Sequence, residues 1–315
     1  YNCFFFHTFR NTSKTKVGNF FKNNYFCSIQ FLQILLKMKR ILVVGAGGQI
    51  GTELVPHLQK NYGEDNVIAA DLKDEAIAKI GEYARVEKLD ALDFNAFGEL
   101  VKKHNIDAIF NLVALLSATG EKNPELAWKI NMGALLNSLT LAKEFKTAVF
   151  TPSSIGAFGV STPHDMTPQD TVMRPDTIYG VCKVTGELLS DYYFSRFGVD
   201  ARSVRFPGII SNGALPGGGT TDYAVEVFYE ILKTGHYTCP IPEDSYMDML
   251  YMPDALNAVT QLMEADPSKL KHRNSFNITC MSFNPRELFA KIQERIPTAK
   301  FDYDVDPVKA AIAAS

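Results

Sequence analysis

Tyr179 and Lys183 stand four positions apart in "DTIYGVCKVTGE" (176–187), a stretch that reads as the first turns of a helix. That spacing puts a phenol and an ammonium on one helical face. A tyrosine beside a cation gives up its proton more readily, and the phenolate can then take a proton from an alcohol. The same spacing fits a buried aromatic beside a solvated lysine, so the pair alone leaves both readings open. Acid/base work would need a cofactor and a serine from elsewhere in the chain.

A cofactor turn is present. "GAGGQIG" supplies Gly45, Gly47, Gly48 and Gly51, and the better register is Gly45, Gly48, Gly51 with Gly47 as an extra. Those three positions serve a tight turn, close backbone approach to a pyrophosphate, and close packing of helix on sheet. The N-terminus of the helix that follows offers N–H groups and partial positive charge to phosphates. Asp71 ends the next apolar run about twenty residues past Gly51, where a carboxylate accepts from a ribose 2′-OH and repels a 2′-phosphate. That favours NAD over NADP. The competing reading of Asp71 is a solvated acid at a strand end.

The elements that must position these groups alternate along the chain. "RILVVGAG" (40–47), a helical pattern ending at Gly63, and "NVIAADL" (66–72) form a βαβ unit. The pattern continues through "ARVEKLD" (84–90), a helix near 94–104, "DAIFNLVALLS" (107–117) and a helix from about Pro124 to Phe145. "TAVFTPSS" (147–154), the Tyr179 helix and "VDARSVRF" (199–206) follow. Strands alternating with helices predict an α/β protein with a Rossmann-type, doubly wound parallel sheet. After Pro207 the texture turns rich in loops and glycine, which suits a lid and a substrate pocket. The reading divides the chain into residues 1–37, a nucleotide-binding domain at 38–206, and a smaller substrate lobe at 207–315 interleaved with it.

Gly45, Gly48 and Gly51, the "LDALD" strand end, "NLVA" (111–114), "PSSIGAFG" (152–159) and "YGVCK" (179–183) occur in one order. Together they resemble the extended short-chain dehydrogenase/reductase superfamily over about residues 39–260. The resemblance implies Ser154, Tyr179 and Lys183 as catalytic residues. It implies NAD contacts at Gln49 and Ile50 beside the glycines, and at Asp90, Ala91 and Leu92 near the adenine. Further contacts are implied at Leu112 and Ala114 along the pyrophosphate, and at Asn131, Pro207 and Ile209. A free phenol ionises only around pH 10, so its role as base requires Lys183 and the positive nicotinamide as neighbouring cations. Ser154 would hold the reacting oxygen. Phe158 and Cys182 depart from the family's usual Tyr or Ser without removing a reacting group.

Many members of that superfamily act on nucleotide sugars and clamp a diphosphate with an arginine. In "SYMDMLYMPD" (245–254) Tyr246 stands at that place among apolar residues, leaving Lys233, His236 or Arg205 as substitutes. "LPGGGTTDYAVE" (215–226), with "RFPGIIS" (205–211), resembles instead the short-chain type of L-threonine 3-dehydrogenase. That resemblance implies L-threonine as substrate, with Ser117, Thr220 and Thr221 contacting it. It also implies a mobile glycine segment, a homodimer paired through the Asn131 and Tyr179 helices, and a CoA-dependent ligase as functional partner. Members usually continue past "AAIAAS" with Trp-Pro and a helical tail, so the chain reads as truncated at its C-terminus.

Composition is that of an ordinary globular protein. The formal net charge is −3, but the first forty residues carry seven Lys/Arg and no acid, leaving 25 basic against 35 acidic residues in the remainder. A body of net charge −10 makes a poor partner for nucleic acid or an anionic membrane. The five cysteines are scattered without C-x-x-C spacing, which reads as reduced thiols and no structural metal. The basic, acid-free leader has the composition of a mitochondrial transit peptide; the alternative is translated upstream sequence, with Met38 as the start.

Overall fold

The computed structural model describes residues 38–272 and 274–314; the transit-peptide reading of residues 1–37 lies outside the described residues. The half built on the large sheet runs β1 (Ile41–Val44), α1 (Gln49–Tyr62), β2 (Val67–Asp71), α2 (Asp74–Ile80), β3 (Arg85–Lys88), α3 (Phe94–His104) and β4 (Ala108–Asn111). It continues through α4 (Ser117–Lys122), α5 (Pro124–Phe145), β5 (Ala148–Phe150), β6 (Ser153–Ser154), α6 (Ile178–Phe197) and β7 (Ala201–Arg202). The order β3-β2-β1-β4-β5-β7 makes a six-stranded sheet in which every pairing is parallel. Chain order reverses between β1 and β4, and that switch opens a crevice at the carboxyl ends of the strands.

Burial explains the runs. All four residues of β1 and of β4 are buried, as expected where helices cover both faces of a parallel sheet. Helix α1 buries Leu54, Val55 and Leu58 and stops at Gly63, whose φ is 94°. Asn123 caps α5 through Leu126 N, with Pro124 in the first turn. Thr177 caps α6 through Gly180 N, and Gly198 at φ 71° ends it.

Three expected strands are shorter than their apolar runs. The strand read at 107–117 stops at Asn111, because the Asn111 carboxamide accepts from Val113 N at 3.2 Å and turns the chain; Ser117 instead opens α4. The run at 147–154 divides at Thr151 and Pro152, and proline removes a ladder donor there. The run at 199–206 divides at Ser203, since β7 pairs with β5 while the next strand, β8 (Val204–Phe206), pairs with β6. The chain therefore leaves the large sheet twice, side by side, and Ser154 sits on the departing strand.

The remaining elements are β9 (Gly208–Ile210), α7 (Tyr223–Thr234), β10 (His236–Cys239), β11 (Met247–Tyr251), α8 (Met252–Glu264), β12 (Phe276–Asn277), β13 (Met281–Phe283), α9 (Pro285–Arg295), β14 (Lys300–Tyr303) and α10 (Pro307–Ala314). They form small sheets in the orders β12-β8-β6, β13-β11-β9 and β10-β14. A second hydrophobic cluster, including Tyr223, Val227, Tyr237, Met249 and Phe289, stands apart from the cluster around the large sheet. No helix among the described residues is long and apolar enough to cross a membrane.

Phe110 of β4 is fully buried, its ring centroid 5.6 Å from that of Phe150. Replacing Phe110 by alanine should destabilise the fold by about 3–5 kcal/mol, read as a lowered urea midpoint; an unchanged midpoint would show that the sheet does not depend on this contact.

Candidate active site

The glycine turn is built on the end of β2. Gly45, at φ +79°, and Ala46 both donate to Ala70 O, at 2.9 and 3.1 Å. A methyl group on Gly51 would stand 2.5 Å from Ala46 O, so α1 can approach the turn only without a side chain there. Gly47 is not an extra: its N–H donates to Asp71 Oδ2 at 2.8 Å, and a methyl there would meet Ala76 Cβ at 2.4 Å. Asp71 Oδ1 accepts from Lys73 N at 3.1 Å. Each carboxylate oxygen has a second lone pair for a hydroxyl. Helix α1 has no side-chain cap and no acid in its first turn, and its first helical bond runs from Thr52 N to Gly48 O. The N–H groups of Gln49, Ile50 and Gly51 precede that bond, and a methyl at Gly48 would meet nothing nearer than 3.5 Å. An open, uncapped helix start of this kind fits a pyrophosphate.

Around the turn, Asp90 fixes its own bend by accepting from Leu92 N at 2.9 Å, and the intervening Ala91 is buried. Leu112 N donates to Val44 O at 2.9 Å, laying the 112–114 segment, with Ala114 at its end, beside Gly45. The carboxamide of Asn131 is committed to this segment: it accepts from Leu115 N at 2.7 Å and donates to Leu115 O at 3.1 Å. Its direct work is thus to hold the loop. Gln49 Nε2 donates to Ile209 O at 3.3 Å, joining α1 to the strand after Pro207.

Ser154 and the Tyr179–Lys183 pair come together across Gly156. Ser154 Oγ accepts from Gly156 N at 3.1 Å. A methyl on Gly156 would lie 3.3 Å from the Tyr179 ring and 3.5 Å from Ser154 Oγ, so phenol ring and hydroxyl flank one small gap. Lys183 Nζ sits 5.1 Å from the Tyr179 ring centroid and donates to Pro152 O at 2.6 Å. Gly180 makes this approach feasible: a methyl there would stand 2.2 Å from Gly156 O and 2.4 Å from Pro175 Cβ. A cavity of about 30 Å³ opens behind Lys183, lined among others by Asn131, Ser153, Glu187 and Ser190. The arrangement offers a proton acceptor, a hydroxyl to hold an oxygen, and a cation to favour the phenolate.

The candidate substrate residues also meet. Ser117 Oγ lies 3.5 Å from Thr220 Oγ1 although 103 positions separate them. Helix α4, which Ser117 opens, is tied to the start of α6 by a bond from Ile178 N to Glu121 Oε1 at 2.8 Å. Thr221 packs against Gly208, where a methyl would stand 2.7 Å from its Cβ. Buried Asp222 accepts from Gly218 N and Gly219 N at 2.8 and 2.7 Å and so gathers the glycine segment. Helix α10 packs on α4 and on the 220–222 turn. Two of the expected substitutes for a diphosphate clamp are otherwise engaged. Arg205 is buried against Glu187, and His236 pairs with Asp302 at 2.7 Å. Tyr246 donates to Glu287 at 2.5 Å.

Residues 41–279 match the NAD dependent epimerase/dehydratase family. The chain belongs to that family. An uncharacterised epimerase/dehydratase of Staphylococcus aureus (strain MRSA252) is 52% identical over 278 residues, covering 88% of this chain and 87% of the relative. Among solved structures, an L-threonine dehydrogenase from Clostridium difficile is 53% identical with a TM-score of 0.85, covering 88% of this chain and 87% of that one. The holo form of a GalE-like L-threonine dehydrogenase from Cupriavidus necator is 45% identical with a TM-score of 0.82, covering 87% and 88%. Family and structural likeness together identify NAD as the cofactor and NAD-dependent oxidation as the chemistry.

Several residues that the structure packs or bonds against the candidate site residues were not legible in the sequence as such: Gly47, Gly156, Gly180, Glu187 and Asp222. Their only sequence trace is position, as small or acidic residues beside recognised motifs. For Asp222, burial pushes the carboxyl above its ordinary range and the two backbone N–H groups oppose that shift. A raised folded-state value means stability is full below the unfolded pKa, about 4, and falls as pH rises through the folded one. Asp222→Asn keeps an oxygen for the two N–H groups and cannot ionise. Urea melts at stepped pH should therefore show wild type losing stability relative to the variant from about pH 4 upward; a pH-independent difference would contradict this.

Proposed function

We propose that the chain oxidises L-threonine at its β-hydroxyl with NAD⁺, giving L-2-amino-3-oxobutanoate and NADH. The observation that carries this reading is the meeting of the Ser117 and Thr220 hydroxyls at 3.5 Å, beside the helix that bears Tyr179. Short neutral donors suit a small amino acid carboxylate, and solved relatives with L-threonine dehydrogenase activity in their names support the choice. Bound NAD supplies the hydride acceptor. Gly45, Gly48 and the start of α1 hold its pyrophosphate, Asp71 accepts from its ribose hydroxyls, and Asp90 through Leu92 with Leu112 and Ala114 line its path. Ser154 holds the threonine hydroxyl, Tyr179 takes its proton, and Lys183 favours the phenolate and contacts the nicotinamide ribose. Ser117, Thr220 and Thr221 orient the amino acid. The β-keto product is the substrate expected of a CoA-dependent ligase.

The alternative, nucleotide-sugar epimerisation, is disfavoured by the engagement of Arg205 and His236. Supplying L-threonine and UDP-sugars separately with NAD⁺ should give NADH only with threonine; sugar inversion without threonine turnover would reverse the assignment. Asp71→Asn keeps an acceptor for Gly47 N but removes the charge that repels a 2′-phosphate. Calorimetry should show its NADP⁺/NAD⁺ affinity ratio rising about tenfold or more; an unchanged ratio would remove Asp71 from the ribose site.

We also propose a homodimer through α5 and α6. Val181, Leu188 and Tyr192 form an exposed stripe on α6 beside exposed Trp128 and Leu136 on α5, an apolar face of the kind that marks an interface. Light scattering should give twice the chain mass for wild type and a monomer for Leu188→Glu; a wild-type monomer would refute the interface.

A further inference from the structure

We propose that Glu187 and Arg205 are positioning residues that hold Ser154 and the Tyr179–Lys183 pair in one frame. The inference deepens the proposed oxidation and rests on that reading. Glu187 follows Lys183 by one helical turn, as Lys183 follows Tyr179, so all three lie along one stripe of α6. It is only 6% exposed and Arg205 only 4%. Arg205 grips the carboxylate with two prongs, Nε to Oε1 at 2.9 Å and Nη2 to Oε2 at 2.7 Å. Ser153 Oγ donates to the same Oε1 at 2.5 Å.

The partners of this carboxylate are the neighbours of the catalytic serine. Ser153 precedes Ser154, and Arg205 is the cross-strand partner of Ser153, as Phe206 is of Ser154. Lys183 makes a second tie one turn earlier, to Pro152 O. Successive turns of α6 are therefore bonded to successive residues of the segment that carries Ser154. Arg205 is itself fixed, by Nη1 to Gln169 O and to Asn277 Oδ1, both at 2.9 Å, by Nη2 to Met173 Sδ, and by Phe158, whose ring centroid lies 5.3 Å from its guanidinium carbon.

Stability alone does not account for such a pair, because apolar residues of similar volume often serve a buried position as well or better. Apolar packing tolerates sliding between elements; a forked ion pair with a third directional bond does not. The distance between the Tyr179 helix and the Ser154 strand is the quantity that acid/base catalysis needs fixed, since small misplacements of reacting groups lower turnover.

Arg205→Lys keeps the charge and loses the fork; Ser153→Ala removes only the third bond. In the full chain, with folding followed by thermal melting, Arg205→Lys should lower kcat for threonine about tenfold or more. KM for threonine and the dissociation constant for NADH should stay within about threefold, and the pH profile of kcat should move to higher pH. Independently of substrate, fewer protons should be released when NAD⁺ binds at neutral pH, a release measured by calorimetry in buffers of different ionisation enthalpy and absent in Tyr179→Phe. Ser153→Ala should shift each quantity in the same direction by less, and it carries the test if Arg205→Lys does not fold. Lowered melting temperature with kcat, pH profile and proton release as in wild type would overturn the proposal and leave the pair a merely structural feature. If wild type fails to oxidise threonine, the proposed activity falls while proton release still decides the positioning role. A wild type releasing no more protons than Tyr179→Phe would overturn the positioning role and leave the oxidation to be decided by threonine turnover.

Discussion

The seat of the Tyr179 helix on the segment from Pro152 to Gly156 is the contact on which the site depends. Gly180 lies so close to the Gly156 carbonyl that it has no room for a larger side chain without displacing that segment, and a methyl on Gly156 would press on the Tyr179 ring at 3.3 Å. Thr177 starts the helix at the right residue, and Lys183, one turn past Tyr179, anchors it by donating to Pro152 O. Phenol ring, ammonium and serine hydroxyl come near one another as a consequence of backbone proximity. Preset geometry is what lets a general base act without further reorganisation.

The sheet sets up this contact by ending early. Strands β5 and β7 leave the large sheet after three and two residues, and their continuations pair with each other as β6 and β8. Ser154 is thereby carried off the large sheet, just past the carboxyl end of β5 and paired with Phe206. The loop Leu112–Leu116 is held by the Asn131 carboxamide. Across from it, Asp222 collects two glycine N–H groups and presents Thr220 to Ser117. Segments remote in sequence thus converge on one face by bonds to backbone, which direct the chain rather than merely bury it.

Where one helix meets one strand, the sequence was readable. The glycine turn, the acid at Asp71, the helices at 94–104 and 124–145, and the Tyr179–Lys183 spacing all follow from local periodicity and turn chemistry, and the structure has them there. What local pattern could not show is which sheet an apolar run joins. "TAVFTPSS" and "VDARSVRF" each read as one strand and each serve two sheets, because the division depends on pairing partners fifty residues apart. Gly47 looked surplus until Asp71 and Ala76 were seen to close on it. Arg205 looked like a free phosphate ligand because nothing in its neighbourhood in sequence announces Glu187. Asn131 reads in the sequence as a cofactor contact, whereas its amide works on Leu115, a partner that only the folded chain supplies.

The central claim is that Tyr179 takes the proton from the substrate alcohol, and one substitution tests it most directly. Tyr179→Phe deletes a single oxygen and leaves the ring that packs on Gly156. Steady-state turnover of L-threonine with NAD⁺, measured beside NADH affinity, should fall by about 100-fold or more while NADH binds within about twofold of wild type. Turnover equal to wild type would show that another group accepts the proton, and the account of this site would be wrong.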